Sequence, residues 1–91
     1  MTYVPQDRYF KKAKREGYRS RSAYKLIELQ QRLHLLRAGD AVVDLGAAPG
    51  GWLQVAANIV GQNGNVIGVD LQPIKPFNQH NIVIIEGDIT A

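Results

Sequence analysis

The run Val42-Val43-Asp44-Leu45-Gly46-Ala47-Ala48-Pro49-Gly50-Gly51-Trp52 sets one carboxylate beside three glycines and a proline. Glycines that follow an apolar strand let the backbone pass close to a ligand. The spacing is G-x-x-x-G-G, which differs from the G-x-G-x-x-G of a dinucleotide-binding turn, and no G-K-[ST] follows to mark a nucleotide hydrolase. Asp44 would repel a phosphate placed here. Pro49 also withdraws one of the N–H groups that an anion site uses. A ligand that is cationic, with a single carboxylate, meets neither objection. S-adenosylmethionine is such a ligand: its sulfonium and ammonium suit Asp44, directly or through water, and only its carboxylate seeks amide donors.

Two further acids fall at positions that fit this reading. Asp70 closes a second apolar run, 24 residues beyond Gly46, where an acid can accept hydrogen bonds from ribose hydroxyls. Asp88 follows a third apolar run, where a carboxylate can meet an adenine amino group. Either acid alone is equally a turn or cap former. Together with Asp44, Gly46, Gly50 and Gly51 they line one sheet edge, the constellation of an adenosyl-cofactor site. Trp52 belongs either to that site or to the core as an anchor for the following helix. His34 and His80 have no partners at metal-ligand spacing, so no metal site is expected.

The elements that must position these residues are legible as a pattern. Ala41–Leu45 is a short β-branched run, read as a buried strand, and Pro49 suits the first turn of a helix that continues from Trp52 to Val60. Gly61 ends that helix, Asn63-Gly64 marks a turn, and Val66–Asp70 is a second strand. Pro73 and Pro76 make Leu71–Asn81 a loop or a distorted helix start, before a third strand at Ile82–Glu86. Upstream, Leu26, Leu29, Leu33 and Leu36 recur at helical spacing, Ser20 or Ser22 can cap that helix, and Gly39 is its expected stop. Lys25, Glu28 and Arg32 lie off the leucine stripe. Strand, glycine loop, helix and strand form a βαβ unit, the unit of parallel doubly wound sheets.

Charge is unevenly distributed. The whole chain of 91 residues carries +3, but Met1 to Lys25 holds eight Lys/Arg against two acids, or +6, while the remaining 66 residues carry −3. The arm is expected to be helical from Asp7 to Arg15 and broken at Gly17. A basic arm on a neutral-to-acidic body is either a solvated tail or a surface for a polyanion. Tyr9, Phe10, Tyr18 and Tyr24, interleaved with the charges, offer faces for stacking nucleotides. Arg8, Lys11, Lys12, Lys14, Arg15, Arg19 and Arg21 are the candidate RNA contacts. The arm has no continuous apolar face for a membrane, and no stretch approaches the roughly 20 apolar residues of a span. The chain has no cysteine, which excludes disulfides, thiol chemistry and Cys-ligated zinc and fits a cytoplasmic location.

The segments Tyr9-Phe10-Lys11-Lys12-Ala13-Lys14, Gly17-Tyr18-Arg19-Ser20-Arg21-Ser22-Ala23-Tyr24-Lys25-Leu26 and Asp44 to Trp52 closely resemble the FtsJ/RrmJ ribose 2′-O-methyltransferases. The likeness is narrowest to the bacterial type that acts on a uridine of large-subunit ribosomal RNA. It implies a Rossmann-like, S-adenosylmethionine-dependent α/β fold whose first three parallel strands follow a basic helical arm. It also implies that Gly50, Trp52, Asp70 and Asp88 match cofactor-contacting positions. Lys25 matches the first lysine of the family's Lys-Asp-Lys-Glu tetrad, which helps to place the substrate; without the resemblance, Lys25 reads as a surface lysine paired with Glu28.

On this reading residues 1–22 form the RNA-facing arm and 23–91 the N-terminal part of a methyltransferase domain. The sequence ends where the next helix is expected, so a truncated domain, inactive alone, is anticipated. The expected partner is ribosomal RNA or the large ribosomal subunit, with no membrane or metal, and the full-length enzyme is expected to be monomeric. A non-catalytic RNA-binding protein is the alternative. A nicotinamide-dependent oxidoreductase is disfavoured by the glycine spacing and by Asp44.

Overall fold

The strands form where β-branched residues run together. β1 (Ala41–Leu45), β2 (Asn65–Asp70) and β3 (Ile82–Glu86) make a parallel sheet in the order β1-β2-β3. The computed structural model describes residues 15–88. The register aligns Val42 with Val66 and Ile82, and Leu45 with Val69 and Ile85, so residues two apart share a face. Between the first two strands runs α2 (Gly51–Val60), ended by Gly61 at φ 70°. This is the expected βαβ unit.

α2 covers one face of the sheet. Leu53, Val60 and Val66 are fully buried there. The close seating depends on Gly68, where an added Cβ would lie 2.5 Å from Leu53 Cδ1 and 3.2 Å from Ala47 Cβ. Asn81 Nδ2 donates to the carbonyls of Ala57 and Gly61 at 3.0 Å each, a second donor for acceptors that also take the N–H of Gly61 and Gly64, and so ties the start of β3 to the end of α2. The Leu71–Asn81 connection is a loop with neither helix nor strand. It plugs the layer with Ile74, buried in the core, and with Phe77 packed beside it.

The preceding helix, α1 (Ser22–Leu33), packs on α2 through Ala23 and Leu26. Three local expectations fail here. Neither Ser20 nor Ser22 caps the helix: Arg21 holds the cap position with helical φ −64° and ψ −23°, which does not aim a side chain at the first N–H groups. The two serine hydroxyls bond each other instead, at 2.7 Å. The helix also stops well before Gly39, because His34 takes the left-handed conformation (φ 48°) and donates its N–H to the Gln30 carbonyl. Finally, the leucine stripe is only part of the packing face. Leu26 is buried and Leu36 packs against the core, together with Ala23 and Ile27, but Leu33 is 61% exposed. Pro49, placed in the first turn of α2 by the sequence, lies just before its cap residue Gly50. Gly17 breaks the arm as expected, at φ 84°. The segment from Asp7 to Lys14 lies outside the described residues.

The opposite face of the sheet has no cover among the described residues. Val43, Leu45, Val83 and Ile85 are each about half exposed or more, and β1 pairs with β2 alone.

Candidate cofactor site

The glycine loop is held down amide by amide. Gly46 and Ala47 both donate their N–H to the Val69 carbonyl, at 2.7 and 3.1 Å. Ala48 N–H donates to Asp70 Oδ2 at 2.8 Å, and Pro49 has no N–H to give. A phosphate approaching residues 46–49 would therefore find their donors taken. Only the N-terminal amides of α2 remain, enough for one carboxylate.

Beside this loop is a cavity of about 250 Å³. It is lined by the loop residues together with Gly51 and Trp52, by Asp44, and by Ser20 and Ser22. Trp52 is 37% exposed, so it is a wall of the cavity and not an anchor in the core. The volume is below the roughly 300–1,000 Å³ of a whole-ligand pocket. It suits the charged end of a larger molecule whose remainder lies across the strand tips.

The two neighbouring carboxylates are in opposite states. Asp44 has its pKa raised, first by burial and second by the negative charge of Asp70. A partly desolvated carboxylate that no cation answers among the described residues is a place for a positive ligand. Asp70 has its pKa lowered by N–H donors from the backbone, chiefly Gln72 and then Ala48. It bonds those two amides at 2.8 Å each, so it fixes the loop to the end of β2 while keeping lone pairs for a hydroxyl.

The structure gathers Asp44, Gly46, Gly51 and Trp52 around the cavity, with Gly50 buried behind them and Asp70 tied to the loop. Asp88 is exposed beyond the end of β3, outside the cavity. Lys25 is exposed on α1, about one turn from Ser22 and also outside it. Of the candidate RNA contacts, Arg15 and Arg21 are exposed, and Arg8, Lys11, Lys12 and Lys14 lie outside the described residues. Arg19 is turned inward, donating to the carbonyls of Pro49, Lys75 and Pro76. Tyr18 and Tyr24 are part-buried, and their rings meet edge-to-face with centroids 5.5 Å apart. Burial, and then a hydrogen bond to Glu16, push the Tyr24 hydroxyl up to about 12.

Sequence reasoning missed Ser20 and Ser22 as a wall of the site, taking them for helix caps. It also missed Phe77 and Gln54, which join the arm to the loop. The one available signal was the Gly50-Gly51 pair, since adjacent glycines imply that something packs where side chains would stand.

A family model described as FtsJ-like methyltransferase matches residues 18–91. The chain belongs to that family. Curated relatives named "Ribosomal RNA large subunit methyltransferase E" include one from Methanobrevibacter smithii, 58% identical over 93% of this chain and 40% of the relative. Another, from Halorubrum lacusprofundi, is 55% identical over 93% of this chain and 32% of the relative. A crystal structure of a Plasmodium falciparum protein described as a ribosomal RNA methyltransferase superposes with a TM-score of 0.68 at 37% identity. It covers 79% of this chain and 39% of that one. The chain thus spans about a third of the length of the curated relatives it matches. Membership in this family argues against both the oxidoreductase and the purely RNA-binding readings. Among the described residues no helix is long and apolar enough to cross a membrane.

Proposed function

We propose that this chain forms the methyl-donor site and RNA-facing arm of an S-adenosylmethionine-dependent ribose 2′-O-methyltransferase acting on large-subunit ribosomal RNA. The target residue is a uridine, and the full-length enzyme works as a monomer in the cytoplasm. One observation carries the reading. The glycine loop has its amides bound internally, beside a partly buried carboxylate at Asp44 that no cation answers among the described residues. That arrangement repels a pyrophosphate and attracts a cation.

S-adenosylmethionine supplies an electrophilic methyl group on a sulfonium. Asp44 holds the cationic end, and the first amides of α2 take the carboxylate. Asp70 keeps the loop in place and accepts from the ribose of the donor. Asp88 lies at the tip of β3 for the adenine, and Trp52 closes the side of the cavity. Arg15, Arg21 and the basic residues before them neutralise RNA phosphates. Lys25, exposed within a turn of the cavity wall, helps to place the substrate ribose.

Calorimetric titration of the full-length protein tests the cofactor. Binding of S-adenosylmethionine with no heat from NAD is expected, and the reverse result overturns the reading. Lys25→Ala separates enzyme from binder. Methyl transfer to ribosomal RNA should fall at least tenfold while donor affinity holds, and unchanged transfer removes Lys25 from the reaction.

A further inference from the structure

Arg19 lies in the basic arm and is only part-buried, yet its guanidinium is taken up by the protein's own backbone and by an aromatic ring. Nη1 donates to the carbonyls of Pro49, at 3.2 Å, and Lys75, while Nη2 donates to Pro76. The guanidinium carbon sits 3.5 Å from the centre of the Phe77 ring, a cation–π geometry. The backbone of the same residue is held as well: Arg19 N–H donates to Gln54 Oε1 at 2.8 Å, and Gln54 Nε2 returns a bond to the Gly17 carbonyl at 3.0 Å. One side chain thus joins the glycine loop to the β2–β3 loop, and its backbone fixes the arm to α2.

The Gly50-Gly51 pair is shaped to this contact. A Cβ at Gly50 would run into the Phe77 ring and approach Arg19 Cδ at 3.4 Å, and a Cβ at Gly51 would collide with Ser20 Oγ. Ser20, the residue after Arg19, is also a wall of the Asp44 cavity. Ser20 and Ser22 line the cavity from the Gly17–Ser22 turn, so the seating of that turn sets this part of its wall. A lysine also carries three donors, but on a single nitrogen: it does not supply the two separate nitrogens that reach Pro49 and Lys75 on one side and Pro76 on the other, nor a planar group for the Phe77 ring.

We propose that Arg19 is a positioning residue of the methyl-donor site, not an RNA contact: it locks the arm onto the glycine loop and thereby sets the serine wall of the cavity. The assignment rests on the donor reading above and adds a coupling to it. The arm that meets RNA and the loop that holds the cofactor are joined through one guanidinium, so docking of one orders the other.

The experiment compares S-adenosylmethionine affinity, RNA affinity across a salt series, and thermal melting in the full-length protein. The variants are Arg19→Ala, Arg19→Lys, Phe77→Leu and, as a control with the same loss of charge, Arg32→Ala. Arg32 is exposed on the last turn of α1. Arg19→Ala should weaken donor binding about tenfold to a hundredfold, the scale of a misplacement near 1 Å. Arg19→Lys should not restore it, and Phe77→Leu should give a smaller loss in the same direction. The slope of RNA affinity against salt should stay as in the parent, because no phosphate contact is lost. Donor affinity unchanged in a folded Arg19→Ala, with a shallower salt slope, overturns the proposal and makes Arg19 an RNA contact. Full rescue by lysine also overturns it, since charge alone would then suffice. If Arg19→Ala does not fold, Arg19→Lys and Phe77→Leu carry the same test. Failure of the parent itself to bind the donor refutes the cofactor reading, a separate outcome from loss confined to the variants.

Discussion

The two faces of the sheet have nearly the same chemistry and opposite surroundings. On one, Val66 and Gly68 lie under α2, where Leu53 is fully buried. On the other, Val43, Leu45, Val83 and Ile85 are as apolar but stand half open. A parallel sheet with both faces built of Val, Ile and Leu is meant to be covered twice, and the described residues supply one cover. The site sits on the rim of the covered half, where the loop, Asp70 and the arm are bound to one another. Order in the site therefore derives from the packed face, while the open face holds apolar surface that contributes little to it.

The contrast is broken or upheld most directly by truncation on each side. Leu53→Ala should destabilise the chain by about 2–5 kcal/mol, the range for a buried leucine. Ile85→Ala on the open face should cost less than about 1 kcal/mol, because much of that side chain already meets water. Urea melts of the two variants in the 91-residue chain decide it. Equal losses would mean that the open face is covered in solution.

That cover has an obvious source in the isolated chain, namely another copy. Exposed apolar area beside an edge of β1 that is unpaired among the described residues favours association. The 91-residue chain should sediment as a concentration-dependent mixture, and Val83→Lys should shift it several-fold toward monomer. A parent that stays monomeric and melts cooperatively would show that the open face is tolerated as it stands.

How much of this was readable in advance depends on the range of the interaction. β1, β2 and β3 were legible because β-branched runs bounded by glycine and proline are local signals. The loop from Gly46 to Gly51 and the carboxylates Asp44 and Asp70 were legible for the same reason. The end of α1 was not, since a histidine in the left-handed region leaves no mark in composition. Neither were the inward turn of Arg19 and the serine wall. Arg19 pairs with residues 30 to 57 positions away, and only the assembled βαβ unit brings those carbonyls within reach. A basic residue in a basic segment reads as surface until its acceptors are known.

The smallest expected effect concerns the two acids, whose opposite shifts give opposite dependences on pH. Asp70 has a lowered pKa in the folded chain, so it contributes stability that is complete above the ordinary value of 3.8 and is lost as pH falls below it. Asp44 has a raised pKa. The unfolded chain ionises it first, so stability declines as pH rises from 3.8 through the higher folded value. Asp70→Asn should therefore lower the melting temperature at pH 7, and Asp44→Asn should raise it slightly, with both differences shrinking in acid. Both variants should weaken S-adenosylmethionine, for different reasons: one frees the loop, the other removes the charge that the donor answers. An Asp44→Asn protein that is less stable than its parent at pH 7 would mean that Asp44 already has a cationic partner within the fold. The electrostatic argument for a positively charged ligand would then fail at its source.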